Sequence, residues 1–209
     1  MIDNVIFDVG NVLLDWNPRY LYRKLLPSAA DVEHFLEHIC TPAWNAEQDR
    51  GRRWADAVAE LSAQHPHYAD LIRAFDERWH ETIGGPFDDS VEILRELAAA
   101  DVPLFALTNF SGEKFAEVRE RYDFFSLFRG IVVSGDEKLI KPDAKIYRIL
   151  LERYSIDPAR AMFIDDSKAN VAAAAELGMT AVHFTDAGSL RRKLAELGMP
   201  IEAASPSTV

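Results

Sequence analysis

The chain has 209 residues, of which 48% are hydrophobic and 27% are charged, with ten glycines and ten prolines. This composition supports one sizeable core and excludes collagen, coiled coil and extended disorder. Acidic residues outnumber basic residues by 34 to 23, which gives a net charge of −11. That balance argues against nucleic acid as a partner, because binding a phosphate backbone needs a basic surface.

Five short apolar runs predict β-strands, and each is continuous rather than alternating, as is typical of strands buried on both faces of a parallel sheet. The runs are residues 5–7, 103–107, 131–133, 161–164 and 181–184. Amphipathic stretches between the later runs predict helices at residues 90–100, 111–122, 144–154, 169–177 and 189–197. Because strands and helices alternate, we expect an α/β fold of Rossmann-like, doubly wound type with a parallel sheet.

One interval interrupts this alternation. Residues 15–85 contain no convincing strand but carry helical patterns at residues 19–26, 31–39, 53–63 and 68–82. We interpret the interval as an all-helical cap inserted after the first strand of a core made of residues 1–14 and 86–209. The Gly-Gly-Pro sequence at 84–86 is typical of a hinge through which the chain returns to the core. We expect the small, polar tail at 198–209 to be frayed.

The sequence also bears on the compartment. The single cysteine, Cys40, cannot form an internal disulfide, which favours a reducing environment. No apolar run approaches the ~20 residues that a membrane span needs. Residues 1–8 lack the basic start and the long apolar stretch of a signal peptide. We therefore expect a cytoplasmic protein without a membrane partner.

The residues that follow the apolar runs are the candidates for chemistry, because ligands bind beyond the carboxyl ends of parallel strands. These residues are Asp8, Thr108, Asn109, Ser134, Asp165 and Asp166, and Lys141 lies further along. Carboxylates that share a cleft raise one another's pKa unless a cation neutralises them, and an all-oxygen donor set suits Mg²⁺. A carboxylate beside Mg²⁺ and a lysine can attack phosphorus and form an aspartyl phosphate.

Four segments, in order along the chain, resemble the motifs of the haloacid dehalogenase superfamily. They are FDVGNV at 7–12, LTN at 107–109, KPD at 141–143 and FIDDS at 163–167. Each motif alone is weak, but all four lie at a predicted strand end or just after one. The resemblance covers the whole chain, including a helical cap after the first motif. The Asp-x-Gly-Asn opening is most similar to a branch of sugar-phosphate phosphatases that includes glucose-1-phosphate phosphatase.

The resemblance implies that Asp8 is the nucleophile and a metal ligand. The backbone carbonyl of Gly10 would be a second ligand, and Asp166, with Asp165 beside it, would complete a Mg²⁺ site. Phosphatases of the superfamily usually carry a second aspartate at the position of Gly10, where it protonates the leaving group and later activates water. Mg²⁺ binding survives this departure, but acid–base catalysis loses a contribution of about 10²–10⁴-fold in rate.

Two explanations of the departure at Gly10 stay open. Asp15 lies at the predicted cap junction and could reach back into the cleft as the acid and base. Alternatively, the leaving group needs little protonation, as with an anomeric hydroxyl or an acyl phosphate. A rival function is that of the metal-independent 2-haloacid dehalogenases, which also lack the second aspartate. Their fourth motif resembles Ser-Ser-Asn, so Asp165 and Asp166 favour a phosphatase over a dehalogenase and over a non-catalytic phosphate-binding module.

Phosphate-binding and substrate-binding residues follow from the same resemblance. Thr108 and Asn109 would hold the phosphoryl group, and Lys141 would neutralise both the nucleophile and the phosphate. In the cap, the polar stretch at 44–51 favours a solvated loop, in which Arg50 could meet the remainder of an anionic or sugar-like substrate. The expected function is Mg²⁺-dependent hydrolysis of a small phosphorylated metabolite, with sugar phosphates preferred and the oligomeric state open.

Overall fold

The computed structural model describes residues 2–202, and a five-stranded parallel sheet forms its centre. The strands of the described chain are β1 (Asn4–Phe7), β2 (Leu14–Trp16), β3 (Ile83–Pro86), β4 (Leu104–Thr108), β5 (Gly130–Val133), β6 (Ala161–Asp165) and β7 (Thr180–His183). The sheet has the order β5-β4-β1-β6-β7, and every neighbouring pair is parallel. The five predicted strands and the doubly wound α/β fold are confirmed.

Helices connect the strands. In chain order they are α1 (Arg19–Tyr22), α2 (Ala29–His38), α3 (Pro42–Asp49), α4 (Trp54–Gln64), α5 (Ala69–Glu77), α6 (Asp88–Ala99), α7 (Gly112–Arg121), α8 (Ser134–Glu137), α9 (Ala144–Arg153), α10 (Lys168–Glu176) and α11 (Ala187–Glu196). The five helices predicted for the core correspond to α6, α7, α9, α10 and α11, within two residues at each end. Short 3₁₀ turns occupy Pro66–Tyr68, Trp79–Thr82, Asp123–Leu127 and Pro158–Arg160.

The central sheet is buried on both faces. Along β1, Val5 and Phe7 lie in one apolar cluster and Ile6 lies in another, because successive side chains of a strand point to opposite faces. The first cluster includes Leu94 of α6, and the second includes Ile146 of α9. Helices therefore cover both sides, and every residue of β4 and β6 is buried.

The segment between β2 and β3 is helical, as predicted, but its two ends form a ribbon that the sequence did not reveal. Leu14 pairs with Pro86, and Asp15 pairs with Gly85, in an antiparallel arrangement. The predicted hinge thus lies within β3. The proposed core and cap boundaries at residues 14/15 and 85/86 fall inside this ribbon and stay a prediction.

The solvated loop predicted at 44–51 is wrong for most of its length, because the chain forms α3 there. The side chain of Thr41 caps this helix by accepting a hydrogen bond from the backbone N–H of Trp44 at 3.1 Å, and Pro42 occupies its first turn. Both residues are typical of a helix start. The side chain of Gln48 is buried and donates to the carbonyl of Trp44 at 2.7 Å.

An aromatic cluster fills the helical segment. Its ring pairs include Tyr22 with Phe35 at 4.6 Å between centroids and Trp54 with Phe75 at 5.4 Å. These residues belong to the same buried cluster as Phe7 of β1, so the apolar core runs without a break from the sheet into the helices. These four rings thus build the core of the helical segment itself.

Polar contacts fix the helical segment onto the carboxyl edge of the sheet. The indole Nε1 of Trp54 donates to the hydroxyl of Ser111 at 3.0 Å. Nζ of Lys114, which is buried, lies 2.6 Å from a carboxylate oxygen of Asp76 and donates to the carbonyl of the same residue. Ser111 follows β4 and Lys114 lies in α7, so the helices lie over the strand ends.

The first residues of the predicted tail are packed. Met199 is buried, and the backbone N–H of Glu202 donates to the carboxylate of Glu96. Fraying therefore does not describe residues 198–202, while residues 203–209 lie outside the described residues. Among the described helices, none combines the length and the apolar character that crossing a bilayer requires.

Candidate active site

Three neighbouring strands bring functional side chains to one edge of the sheet. Asp8 follows β1, Thr108 ends β4 and Asp165 ends β6, with Asp166 directly after it. Because β1 lies between β4 and β6, these strand ends are adjacent. Carboxylate oxygens of Asp8, Asp165 and Asp166 lie within 4.8 Å of one another, so one cation can contact all three.

Lys141 joins two of these carboxylates. Its Nζ lies 2.8 Å from Oδ1 of Asp8 and 2.7 Å from Oδ2 of Asp165, and it donates to the carbonyl of Leu107 at 2.8 Å. The lysine side chain is fully buried. Burial opposes its charge, but the two carboxylates outweigh that effect and hold the pKa of Lys141 above its ordinary value. A fixed ammonium group therefore stands beside Asp8.

Asp8 and Asp165 differ in how fully their oxygens are occupied. Asp165 accepts hydrogen bonds from the amide of Asn170 at both oxygens, from the backbone N–H of Ser167 and from Lys141. Oδ2 of Asp8 receives no hydrogen bond from residues 2–202. Burial raises the pKa of Asp8 to about 7, the charge of Asp165 adds to this rise and Lys141 opposes it. Asp165 thus orients the lysine, and Asp8 keeps an oxygen available for chemistry.

Thr108 and Asn109 have different surroundings. The hydroxyl of Thr108 is buried and finds no hydrogen-bond partner within the described chain, which is uncommon for a buried polar atom. The amide of Asn109 is engaged, because its Nδ2 donates to the carbonyl of Lys141 at 3.1 Å and its Oδ1 accepts from the N–H of Lys141 at 2.8 Å. The Asn109 side chain therefore positions Lys141, and its contact with the phosphoryl group stays a prediction.

A small cavity of about 70 Å³ opens beside the cluster. Its lining residues come from the strand ends and from the helical segment: Gly10, Trp16, Asn45, Asp49, Trp79, Asn109, Phe110 and Ser111. Three of these eight residues, Trp16, Trp79 and Phe110, are aromatic. Burial raises the pKa of Asp49 to about 7, and a hydrogen bond from the backbone N–H of Ser111 opposes this rise.

The family of the chain follows from a direct comparison. A model of the family described as haloacid dehalogenase-like hydrolase matches residues 2–178. The chain belongs to this family. It is therefore a hydrolase, and the superfamily inferred from the four motifs is confirmed.

Relatives of this haloacid dehalogenase-like hydrolase include named phosphatases. It is 29% identical over 195 residues to the sesquiterpene phosphatase astK of Aspergillus oryzae, which covers 92% of this chain and 94% of that protein. It is 25% identical over 191 residues to a phosphorylated carbohydrates phosphatase of Thermotoga maritima, with coverage of 87% and 84%. Among solved structures, a haloacid dehalogenase family enzyme of Bacteroides thetaiotaomicron, in complex with magnesium and inorganic phosphate, has a TM-score of 0.66 at 18% identity, covering 88% and 95%. The named relatives support a phosphatase-type hydrolase.

Two residues predicted for the site, Asp15 and Arg50, belong neither to the cluster of carboxylates and lysine nor to the cavity lining. Oδ2 of Asp15 accepts a hydrogen bond from the hydroxyl of Tyr20 at 2.6 Å, whereas the next residue, Trp16, lines the cavity. Asp15 is therefore held by Tyr20 within the ribbon, whose register is irregular between Asp15 and Trp16. The guanidinium of Arg50 is exposed and contacts Glu47 at 2.7 Å. Neither Asp15 nor Arg50 is a lining residue of the cavity.

The sequence interpretation missed several residues that the structure brings to the site. Asn170 lies five residues after Asp165, in the first turn of a helix that was predicted, so its place was available from the sequence. Asn45 and Asp49 lie four residues apart on α3 and share one helix face. Their common direction follows only once 42–49 is known to be helical, and the sequence alone, which favours a loop there, indicates Arg50 instead.

Proposed function

We propose that this hydrolase is a Mg²⁺-dependent phosphatase that acts on a small phosphorylated metabolite, with Asp8 as its nucleophile. The observation that carries the proposal is the group of three carboxylates with Lys141 buried between Asp8 and Asp165. A buried lysine between two carboxylates is costly to desolvate, and the fold itself does not require it. Phosphoryl transfer does use such a group, because negative charge shifts between the nucleophile and the transferred phosphate.

The donor set supports Mg²⁺ as the cofactor. Asp8 and Asp166 would hold the ion through carboxylate oxygens, the carbonyl of Gly10 would be a further ligand, and Asp165 lies beside them. Burial and the charge of Asp165 raise the pKa of Asp8, so a cation at this place would favour its ionised form. When bound, Mg²⁺ would withdraw charge from the phosphoryl oxygens and help to orient them.

The side chains of the site divide the work of phosphoryl transfer. The free oxygen of Asp8 attacks phosphorus, the substrate alcohol leaves, and water then releases phosphate from the aspartyl phosphate. Lys141 touches the other oxygen of Asp8 and neutralises charge in both steps. The unpaired hydroxyl of Thr108 can donate to a phosphoryl oxygen. Asn109 keeps Lys141 in place through two hydrogen bonds to its backbone.

The walls of the cavity favour an uncharged leaving group. Trp16, Trp79 and Phe110 provide aromatic surface, and Asn45 provides a hydrogen-bonding amide. The described lining contains no cationic side chain that would recognise a second anionic group. We propose a sugar phosphate, because the C–H face of a sugar packs on aromatic rings while its hydroxyls bind amides. The Asp-x-Gly-Asn opening and a relative named for phosphorylated carbohydrates support the same class.

Phosphate release from a panel of sugar, nucleotide and acyl phosphates, with and without Mg²⁺, tests the proposal. We expect Mg²⁺-dependent release that is highest for sugar phosphates and is lost in Asp8→Asn, with unfolding curves confirming that the variant is folded. Chloride release from 2-haloacids regardless of metal would establish a dehalogenase instead, against the indication of Asp165 and Asp166. Phosphate binding without either product would indicate a non-catalytic module.

A further inference from the structure

The cavity beside the nucleophile contains one carboxyl group among its described lining residues, that of Asp49. Asp49 is the last residue of α3, and it shares the cavity with Gly10, which lies two residues after Asp8. An alcohol displaced from phosphorus at Asp8 would leave toward this space. Resting on the phosphatase function proposed above, we infer that Asp49 gives a proton to the leaving oxygen and then takes one from the attacking water.

Contacts with both parts of the molecule hold Asp49 in this place. Its backbone carbonyl accepts from the hydroxyl of Ser134, and its carboxylate accepts from the backbone N–H of Ser111. The amide of Asn45 donates to Oδ2 of Asp49 at 3.2 Å. Ser111 and Ser134 follow β4 and β5, so the core itself fixes the position of this helix end. The acid is therefore in place only while α3 rests on the strand ends.

The other carboxyl groups near the site are committed elsewhere. Asp165 accepts four hydrogen bonds or ion-pair contacts and has no free oxygen. Asp15 accepts the hydroxyl of Tyr20, and a Cβ at Gly84 would lie 2.6 Å from its Oδ2, so it is enclosed within the ribbon. Asp8 is needed as the nucleophile, and Asp166 is the carboxylate that would hold Mg²⁺ with it. Asp49 is the acid whose position suits the leaving group.

The surroundings of Asp49 suit a group that must both give and accept a proton. Burial raises the pKa of Asp49 to about 7, and efficient acid–base catalysts have a pKa near the working pH. Charged groups on α3, on the loop after it and on the adjoining parts of α7 and α8 include Glu47, Arg50, Arg52, Glu113, Lys114, Asp136 and Glu137. None of their charges contributes to the shift, which comes from burial and from the opposing N–H of Ser111.

The proton transfers balance over one cycle. In the first step, an oxygen of Asp8 bonds to phosphorus, the phosphorus–alcohol bond breaks, and the carboxyl proton of Asp49 passes to the departing oxygen. In the second step, water bonds to phosphorus, its proton passes to the Asp49 carboxylate, and the bond between phosphorus and Asp8 breaks. The products are the alcohol and inorganic phosphate, and both aspartates return to their starting states.

Leaving groups of different basicity test this role. p-Nitrophenyl phosphate expels a stable phenolate that needs no proton, whereas a sugar or alkyl phosphate expels a basic alkoxide. In Asp49→Asn we expect kcat for the sugar phosphate to fall about 10²–10⁴-fold. With p-nitrophenyl phosphate we expect a rapid burst of one nitrophenol per enzyme, followed by slow turnover, because only the second step still needs the base. Asp56→Asn, an exposed acid on α4, is the matched control and should change neither rate.

A carboxylate introduced at position 10 tests the role of Asp49 independently, through recovery of kcat. A Cβ built on Gly10 meets no atom within 4 Å, so the backbone there has room for the first atom of a side chain. We expect Gly10→Asp, added to Asp49→Asn, to recover about tenfold or more of the lost kcat for the sugar phosphate. A purely structural role of Asp49 would not be rescued from that position.

The outcomes separate the two proposals. If wild-type protein releases phosphate and Asp8→Asn does not, but Asp49→Asn either leaves both rates unchanged or slows the first nitrophenol turnover as much as it slows sugar-phosphate turnover, the role of Asp49 is refuted and the phosphatase stands. A selective loss in Asp15→Asn, with Asp49→Asn unaffected, would transfer the role to Asp15. If wild-type protein releases no phosphate from any substrate, the proposed function fails, and the inference about Asp49 fails with it.

Discussion

The ammonium group of Lys141 should be the largest single electrostatic contribution to the stability of the site. It lies 2.8 Å from Asp8 and 2.7 Å from Asp165, and its side chain is fully buried, so water does not screen these contacts. Lys141→Met keeps the length of the chain but leaves two buried carboxylates without their cation. Breaking a buried ion pair in this way costs about 3–5 kcal/mol. At 1.4 kcal/mol per tenfold, the ratio of folded to unfolded protein should fall by roughly 10²–10³-fold.

Urea unfolding in metal-free buffer measures this loss. With a slope of about 2–3 kcal/mol/M, the midpoint of the Lys141→Met variant should fall by about 1–2 M. The control is a double-mutant cycle with Asp165→Asn. The double variant leaves only the carboxylate of Asp8 without its cation, whereas Lys141→Met alone leaves those of both Asp8 and Asp165. The double variant should therefore lose less stability than the two single variants together. A loss below about 1 kcal/mol for Lys141→Met, or strict additivity in the cycle, would refute the reasoning.

Three other side chains, Thr108, Asp49 and Lys114, give measurable outcomes. Thr108→Val removes a buried, unpaired hydroxyl, so the free energy of unfolding should rise by up to about 1 kcal/mol, while inhibition by inorganic phosphate weakens about tenfold; unchanged inhibition would contradict its contact with phosphate. The pKa of Asp49 is raised from 3.8 to about 7 in the folded protein, so its ionisation opposes folding. The free energy of unfolding should therefore fall as pH rises from about 4 through about 7. Urea unfolding at several pH values should show that this free energy falls less with pH in Asp49→Asn than in the wild type, and an equal fall in both proteins would exclude the effect. Lys114→Met removes two contacts with Asp76, so amide exchange in α5 should accelerate while β6 stays protected, and unchanged exchange in α5 would show that this contact does not hold the helices down.

The strands of the central sheet were predictable because their burial leaves a local signal. β4 and β6 are buried at every residue, and each appears in the sequence as an unbroken apolar run. β2 and β3 leave no such signal, since they contain three and four residues and one of them is Ile-Gly-Gly-Pro. They form because two segments distant in the chain pair with each other. A pairing of this kind cannot be read from either segment alone.

Positions in the site were predictable, whereas side-chain directions were not. Asp8, Thr108 and Asp165 converge because the topology brings the ends of adjacent strands together. The direction of Asp15 depends on the register of the unpredicted strand β2, and that of Asp49 depends on the unpredicted helix α3. Neither the strand nor the helix has a local signal in the sequence. The sequence therefore predicts Asp15 and Arg50 for the site, whereas the cavity is lined by their neighbours Trp16 and Asp49.

The ribbon of β2 and β3 has a consequence for how such enzymes diversify. The chain leaves the ribbon after Trp16 and returns to it at Ile83. These two residues are paired across the ribbon, so their backbones lie roughly 5 Å apart, as those of neighbouring strands do. The two chain connections of the intervening stretch with the core therefore lie side by side. Another insert with the same end spacing and an apolar underside could be grafted there without moving Asp8 or Lys141. Substrate range can thus evolve by exchange of one continuous block of sequence that leaves the nucleophile and its lysine in place, provided that the new block supplies its own counterpart of Asp49.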